Sequence, residues 1–381
     1  MTDQTKTAPN TYAARLPKLR DFLRIMVKEN ASDLVLKTHG CPAVRVAGVI
    51  RFLGDQPLPP ELMKAFLEEV LSDYTRQEFE RTGASDTAVV MPGVGRFRCN
   101  AFHQCGEVGF VLRAIKDEIP SFKELNLPVD PLKRLSSLRR GLVLATGIAG
   151  SGKSTTLASM IEFVNRTMNK HIITIEDPIE FRFEDKRSIV NQREVGTDVE
   201  DFATALRQSL RQSPDVILIG EMRDAETVSA AISAAETGHL VFSTLHTVNA
   251  VQTVERIITF FPPHQHELLR LQLALNLAGV CSMRLVKNKD GNSMVPAVEM
   301  LINTPTVREL IEQGKTRMLP KALQEGSYYG TMTFNQSLIR LFQAGNISLE
   351  DALSASDNPD ELKMQMRGIV QGGGAGRQQP H

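Results

Sequence analysis

The octet Gly147-Ile-Ala-Gly150-Ser151-Gly152-Lys153-Ser154, followed by Thr155, sets glycines, a lysine and a hydroxyl at the spacing GxxxxGKS. Glycines let successive backbone N–H groups turn inward onto phosphate oxygens, and a helix starting at the lysine adds its positive end. Lys153 offers a mobile charge to the outer phosphates, and Ser154 offers a hydroxyl to magnesium. Gly147, Gly150, Ser151, Gly152, Lys153, Ser154 and Thr155 are therefore the expected binding set for a magnesium nucleotide. Such a loop needs a carboxylate that manages the metal and its water. Asp215-Val-Ile-Leu-Ile-Gly-Glu221 reads as an apolar strand ending in glycine and glutamate, the glycine leaving room for the carboxylate to approach the metal shell, directly or through water. The competing reading makes Glu221 a cap of the helix expected over Ala225 to Thr237.

Other groups could join this chemistry. Glu176-Asp177-Pro178-Ile179-Glu180 follows the apolar run Ile172 to Ile175, and its three carboxylates could polarise an attacking water or form a solvated turn fixed by Pro178. Spacing does not rank them. His239 and His246 flank the run Leu240 to Leu245, with no cysteine nearby to complete a zinc site. They read either as neutral donors sensing a terminal phosphate or as structural strand-end residues. Arg207 and Arg211 lie at i, i+4 on an expected helix, and Arg96, Arg98 and Arg113 lie in or beside expected strands, with Arg96 and Arg98 on one face. Such arginines are either solvated or supply positive charge to a transferring phosphoryl group on a neighbour.

The elements that must hold these residues fall into two groups. Leu16 to Val27 reads as an amphipathic helix, Pro60 to Leu71 as a helix begun by proline, and Asp33 to Lys37, Ala43 to Phe52, Thr87 to Met91, Arg96 to Phe102 and Val108 to Ile115 as strands. Together they make a compact α+β unit over 13–117, after a disordered lead over 1–12. A proline-bearing linker with a short helix follows over 118–139. From Gly141, the continuous apolar runs Leu142 to Ala145, Ile172 to Ile175, Val216 to Ile219 and Leu240 to Leu245 alternate with helical patterns. That alternation is the mark of an α/β domain with a parallel sheet covered on both faces, here over 140–368. Glu267 to Val280 is Leu-rich and reads as a buried helix; Pro305 to Gln313, Asn335 to Ala344 and Leu349 to Ser354 read as a helical appendage. The Gly- and Gln-rich residues 369–381 read as a disordered tail.

Composition limits the function classes. Lys plus Arg and Asp plus Glu both number 44, so bulk charge does not favour a polyanion, and nothing interleaves aromatic with basic residues as nucleic-acid binding would. The four cysteines form no CxxC pair, consistent with a reducing compartment. No run approaches the 18 apolar residues of a membrane span and no secretion signal is evident, so a soluble cytoplasmic protein is expected.

At this point the chain resembles the secretion and type IV pilus ATPases, and among them the retraction motors of the PilT/PilU type. The resemblance rests on GIAGSGKSTT (147–156), TIEDPIEF (174–181), NQREVG (191–196), DVILIGEMRD (215–224) and AAETGHLVFSTLHT (234–247), and, toward the start, on ASDLVLKTHGCPAVRVAGVIR (31–51) and GRFRCNAF (95–102). It implies a RecA-like P-loop ATPase domain preceded by a PAS-like domain, in a homo-hexameric ring that hydrolyses ATP with Mg2+. By motif, Glu180 becomes the catalytic carboxylate, Glu221 part of the magnesium and water shell, His239 and His246 the His-box pair, and Arg98 and Arg113 cations reaching nucleotide across a domain or subunit boundary. The implied partners are an inner-membrane pilus platform protein and a PilT-like ATPase, with no nucleic acid, and the implied place is the cytoplasmic side of that membrane. The stretch LINTPTVRELIEQGK (301–315) departs from the AIRNLIRE-like signature of the PilT type and looks closer to the PilU type. The alternatives are an accessory nucleotide-binding ring subunit supporting a PilT-like motor, and a pilus extension or secretion ATPase.

Overall fold

The computed structural model describes residues 17–46, 48–115, 118–291 and 293–372, which divide into compact units before and after residue 117. The expected lead over 1–12 and the expected tail beyond Gly372 lie outside the described residues.

The first unit runs α1 (Leu19–Lys28), β1 (Asp33–Lys37), β2 (Ala43–Val46), β3 (Val49–Phe52), α2 (Pro60–Val70), α3 (Asp73–Thr82), β4 (Ala84–Met91), β5 (Gly95–Gln104) and β6 (Glu107–Ile115). Its strands pair antiparallel in the order β3-β2-β1-β6-β5-β4. Side chains alternate across a strand, so the sheet has two unlike faces. Leu34, Leu36, Phe97, Phe110 and Leu112 join Leu23 and Met26 of α1 and Met63 and Phe66 of α2 in one core. On the other face a single row runs Arg45, Asp33, Arg113, Arg98 across β2, β1, β6 and β5. Helix α3 was not legible in the sequence, because only Thr75 and Phe79 of its ten residues are buried; Ser72 caps its start and Gly83, at φ 80°, ends it.

The second unit runs α4 (Val129–Ser136), β7 (Gly141–Thr146), α5 (Lys153–Thr167), β8 (His171–Glu176), β9 (Ile189–Glu194), α6 (Phe202–Ser209), β10 (Val216–Ile219), α7 (Ala225–Glu236), β11 (Leu240–Leu245), α8 (Ala250–Thr259), α9 (His266–Asn276), β12 (Leu277–Lys287) and β13 (Met294–Ile302). It closes with α10 (Pro305–Glu312), α11 (Leu319–Glu325), α12 (Phe334–Gln343), α13 (Leu349–Ala355) and α14 (Pro359–Gly372), the last of which carries helix into the residues expected to be a tail. The strand order is β13-β12-β7-β11-β10-β8-β9. Leu142, Leu144, Ile217 and Ile219 face a core shared with α6 to α11, whereas Val143, Ala145, Val216 and Leu218 face one shared with α4 and α5. Each full burial of such a side chain contributes roughly 1.5–3 kcal/mol, which is why these strands read as unbroken apolar runs.

Two expectations are corrected. The sheet is parallel only from β9 to β12, since β13 runs antiparallel to β12 at the edge. The Leu-rich stretch is not one buried helix: α9 buries Leu269, Leu273 and Ala274 but exposes Leu268, Leu271 and Leu275, and the chain becomes strand at Leu277. Gly279 allows that strand to close on its neighbours, since a Cβ there would lie 2.9 Å from both Leu135 and the Leu301 carbonyl. No described helix is long and apolar enough to cross a membrane.

Candidate active site

The loop between β7 and α5 is shaped by its glycines. Gly150 and Gly152 sit at φ 75° and 99°, where other residues are strained, and a Cβ on Gly147 would meet the Met283 carbonyl and Ser151 Oγ at 2.4 Å. Lys153, the first residue of α5, turns its ammonium back to donate to the carbonyls of Gly147 at 2.9 Å and Ile148 at 3.0 Å. Burial pulls the Lys153 pKa down, and the fields of Glu221 and Glu180 push it back up. Ser151 Oγ is buried without a hydrogen-bond partner among the described residues. A half-desolvated cation bonded only to neutral carbonyls, beside an orphaned hydroxyl at a helix N-terminus, fits an anionic polyphosphate. Ser154, exposed on the first turn of α5, and Glu221 supply the oxygen donors magnesium prefers.

Glu221 follows β10 through Gly220. That turn is held from both sides: Gly220 N–H donates to the Ile175 carbonyl at 2.8 Å, and Thr244 Oγ1 donates to the Gly220 carbonyl at 2.7 Å. The cap of α7 is Asp224, whose side chain accepts from Thr227 N–H at 2.8 Å, so the capping alternative for Glu221 falls away. A Cβ on Gly220 would meet Glu176 Cα and the Ile175 carbonyl at 3.4 Å, so the turn lies in ordinary packing contact with the end of β8. The Glu221 carboxylate pairs with Arg223 and lies 3.5 Å from His246 Nε2.

The acidic box separates into unlike groups. Glu176 is buried and accepts from Thr174 Oγ1 at 2.6 Å and Gln192 Nε2 at 3.3 Å. Glu180 is half-buried and sends its field to Lys153. The turn between them is fastened by β9: Glu194 accepts from Ile179 N–H at 3.1 Å, and Gln192 bonds Phe183 N–H at 2.9 Å and the Phe181 carbonyl at 2.7 Å. Gln192 and Glu194 had no role readable in the sequence, although the run NQREVG that carries them was conspicuous.

Burial pushes the Glu176 carboxyl from an ordinary 4.5 up to about 7, against the opposing hydrogen bonds from Thr174 and Gln192. Between these values the folded chain keeps a proton that the unfolded chain has released, so this group makes stability fall as pH rises from 4.5 to 7. Glu176→Gln, which mimics the protonated acid, is expected to stabilise the chain by up to about 3 kcal/mol at about pH 8 and to leave it unchanged near pH 4. Urea unfolding at both values measures this, and an equal loss at both would show that the carboxyl is not held protonated. A carboxyl kept neutral into this range is a poor base for water.

His239 is not brought to the loop. His239 stands at the opposite end of β11 from His246, about 20 Å away at strand rise. There its Nδ1 pairs with the Ala234 carbonyl at 2.9 Å and Thr237 Oγ1 at 3.2 Å, closing the end of α7, and its own carbonyl accepts from Gly141 N–H. His239 therefore lies at the end of β11 away from the phosphate loop, because the parallel strands put that loop at the other end of the sheet. Arg207 pairs with Glu226 on the surface, and Arg211 lies on the turn after α6. Arg98 and Arg113 are direct cross-strand partners in the first unit, Arg113 Nε donating to Asp33 Oδ1 at 2.9 Å and Arg98 lying 3.6 Å from Asp86.

The chain that carries this glycine loop, acidic turn and strand-end glutamate is similar to known proteins. The family model described as Type II/IV secretion system protein matches residues 95–334. The chain belongs to that family. Within it, the type IV pilus ATPase PilU of Pseudomonas aeruginosa is 41% identical over 346 residues, covering 91% of this chain and 90% of PilU. The type IV pilus retractation ATPase PilT of the same organism is 42% identical over 344 residues, covering 90% of this chain and 99% of PilT. The crystal structure of the pilus retraction motor PilT with bound ADP matches at a TM-score of 0.85 and 46% identity, over 91% of this chain and 99% of that one. Among these secretion ATPases, identity alone does not separate the PilU and PilT types.

Proposed function

We propose that this chain is an ATP-hydrolysing motor subunit that powers type IV pilus retraction. The observation that carries this reading is the convergence of Lys153, Glu180 and Glu221 at one edge of the sheet, in a chain similar over most of its length to a retraction motor with bound ADP. The loop amides and Lys153 grip the phosphates of ATP, and Ser154 and Glu221 hold Mg2+. When bound, the metal neutralises phosphate charge and fixes the orientation of the terminal group. Glu180, the partly exposed carboxylate of the box, takes the proton of the attacking water; Glu176, buried with its carboxyl pushed up to about 7, holds the turn. His246, which lies 3.5 Å from Glu221, donates toward the terminal phosphate and registers its loss.

Arg98 and Arg113 take the role the resemblance implies for them, as cations that add charge stabilisation to the transferring group. The working unit is a homo-hexameric ring in the cytoplasm, acting on a platform protein of the inner membrane, alone or with a PilT-like ATPase. Force arises because ATP and ADP favour different conformations of the ring. Deleting the gene is expected to leave cells with excess surface pili and without twitching. Loss of surface pili on deletion would instead assign the chain to extension.

A further inference from the structure

A buried chain of hydroxyls runs beneath the candidate site. Thr146, the last residue of β7 before the phosphate loop, donates to Ser282 Oγ of β12 at 2.8 Å. Thr253 Oγ1, on the first turns of α8, lies 3.5 Å from Thr146 Oγ1 and 2.7 Å from Thr247 Oγ1. Thr247 immediately follows His246. All four hydroxyl residues are buried, Thr146, Ser282 and Thr253 completely.

The proton arithmetic singles out Thr253. A threonine hydroxyl has one proton to give, and Thr253 has three oxygens in reach, the Asn249 carbonyl and Thr247 Oγ1 at 2.7 Å each and Thr146 Oγ1 at 3.5 Å. The Asn249 carbonyl can only accept, so both short bonds form together only when Thr253 donates to it and accepts from Thr247. The loop after β11 is thereby tied to the first turn of α8. A second contact fixes the same helix, for Glu299 of β13 accepts from Ala250 N–H at 2.7 Å. Nothing in this arrangement touches a phosphate. It sets the path by which the chain turns from Leu245 through His246 into α8.

We infer that Thr253 is a positioning residue that ties the His246 loop to the first turn of α8, so that His246 is held beside Glu221 before nucleotide arrives. This rests on the reading of the site as an ATPase centre.

The test is Thr253→Val, which keeps the shape and removes the hydroxyl, compared with Thr253→Ser, which keeps the hydroxyl and removes a methyl. The Asn249 carbonyl retains its bond from the Thr253 backbone N–H at 3.0 Å in both, so α8 keeps its first turn. In the ligand-free chain, amide exchange over residues 246–249 is expected to quicken about tenfold in the Val variant and to stay near wild type in the Ser variant. ATP turnover is expected to fall about tenfold or more in the Val variant alone, with ADP affinity within about twofold of wild type. Wild-type exchange and turnover in Thr253→Val would overturn the inference, as would equal losses in both variants, which mark a packing role. If Val fails to fold, Thr253→Ala carries the same expectation against Ser. A wild-type chain that does not hydrolyse ATP removes the ATPase reading itself, and that outcome is read from the control rather than from any variant.

Discussion

Lys153→Ala is expected to weaken ATP and ADP binding by at least about a hundredfold and to abolish measurable phosphate release. The ammonium is the strongest charge on the loop, and each charge-assisted hydrogen bond it gives a phosphate contributes roughly 1.5–3 kcal/mol. In the free chain it bonds only the carbonyls of Gly147 and Ile148, and burial works against its charge. Its loss therefore should not unfold the protein, and the thermal midpoint without nucleotide is expected to stay close to wild type. Nucleotide should then raise the midpoint of the wild type and not of the variant, since stabilisation follows binding to the native state. Lys153→Met, which fills the same space without charge, should behave like Ala. Hydrolysis at the wild-type rate in either variant would mean that the phosphate loop is not the site.

Glu221→Gln separates binding from chemistry. The carboxylate is paired with Arg223 and near His246, at a turn braced by Thr244 and by the end of β8. An amide at this place keeps the shape and one acceptor oxygen but loses the charge that would meet magnesium and order its water. Turnover is expected to fall by about 10²–10⁴, with ADP affinity changed only a few-fold. Steady-state phosphate release alongside ADP calorimetry distinguishes the cases. Parallel losses in both would make Glu221 a binding residue, and unchanged turnover would remove it from the chemistry.

The fold was legible where burial imposes an unbroken pattern. Strands β7, β8, β10 and β11 are buried on both faces, so their sequences carry the signal in themselves. Strand β9, at the sheet edge with the polar sequence Ile189–Glu194, has no such signature, and β12 hides in a leucine-rich stretch whose first half is helix. The phosphate loop was readable because its chemistry depends on local spacing alone.

Ranking the acidic residues was beyond spacing because it depends on a partner from another strand. Gln192 reaches back to Glu176 from β9 and shares in enclosing it, while Glu180 stays partly open. Separating His239 from His246 likewise requires strand direction, since both flank the same six residues and only one end of β11 adjoins the loop. The buried hydroxyls of Thr146, Thr253 and Thr247 leave no mark on any periodic pattern. Thr253 and Thr247 acquire a common role only once α8 and the His246 loop are folded together.

The most direct measurement is a calorimetric titration of the purified wild-type chain with ADP in magnesium buffer. A grip built from loop amides and Lys153 predicts saturable binding in the micromolar range, one nucleotide per chain, lost on Lys153→Ala. A folded wild-type chain that takes up no nucleotide even at millimolar concentration would contradict it.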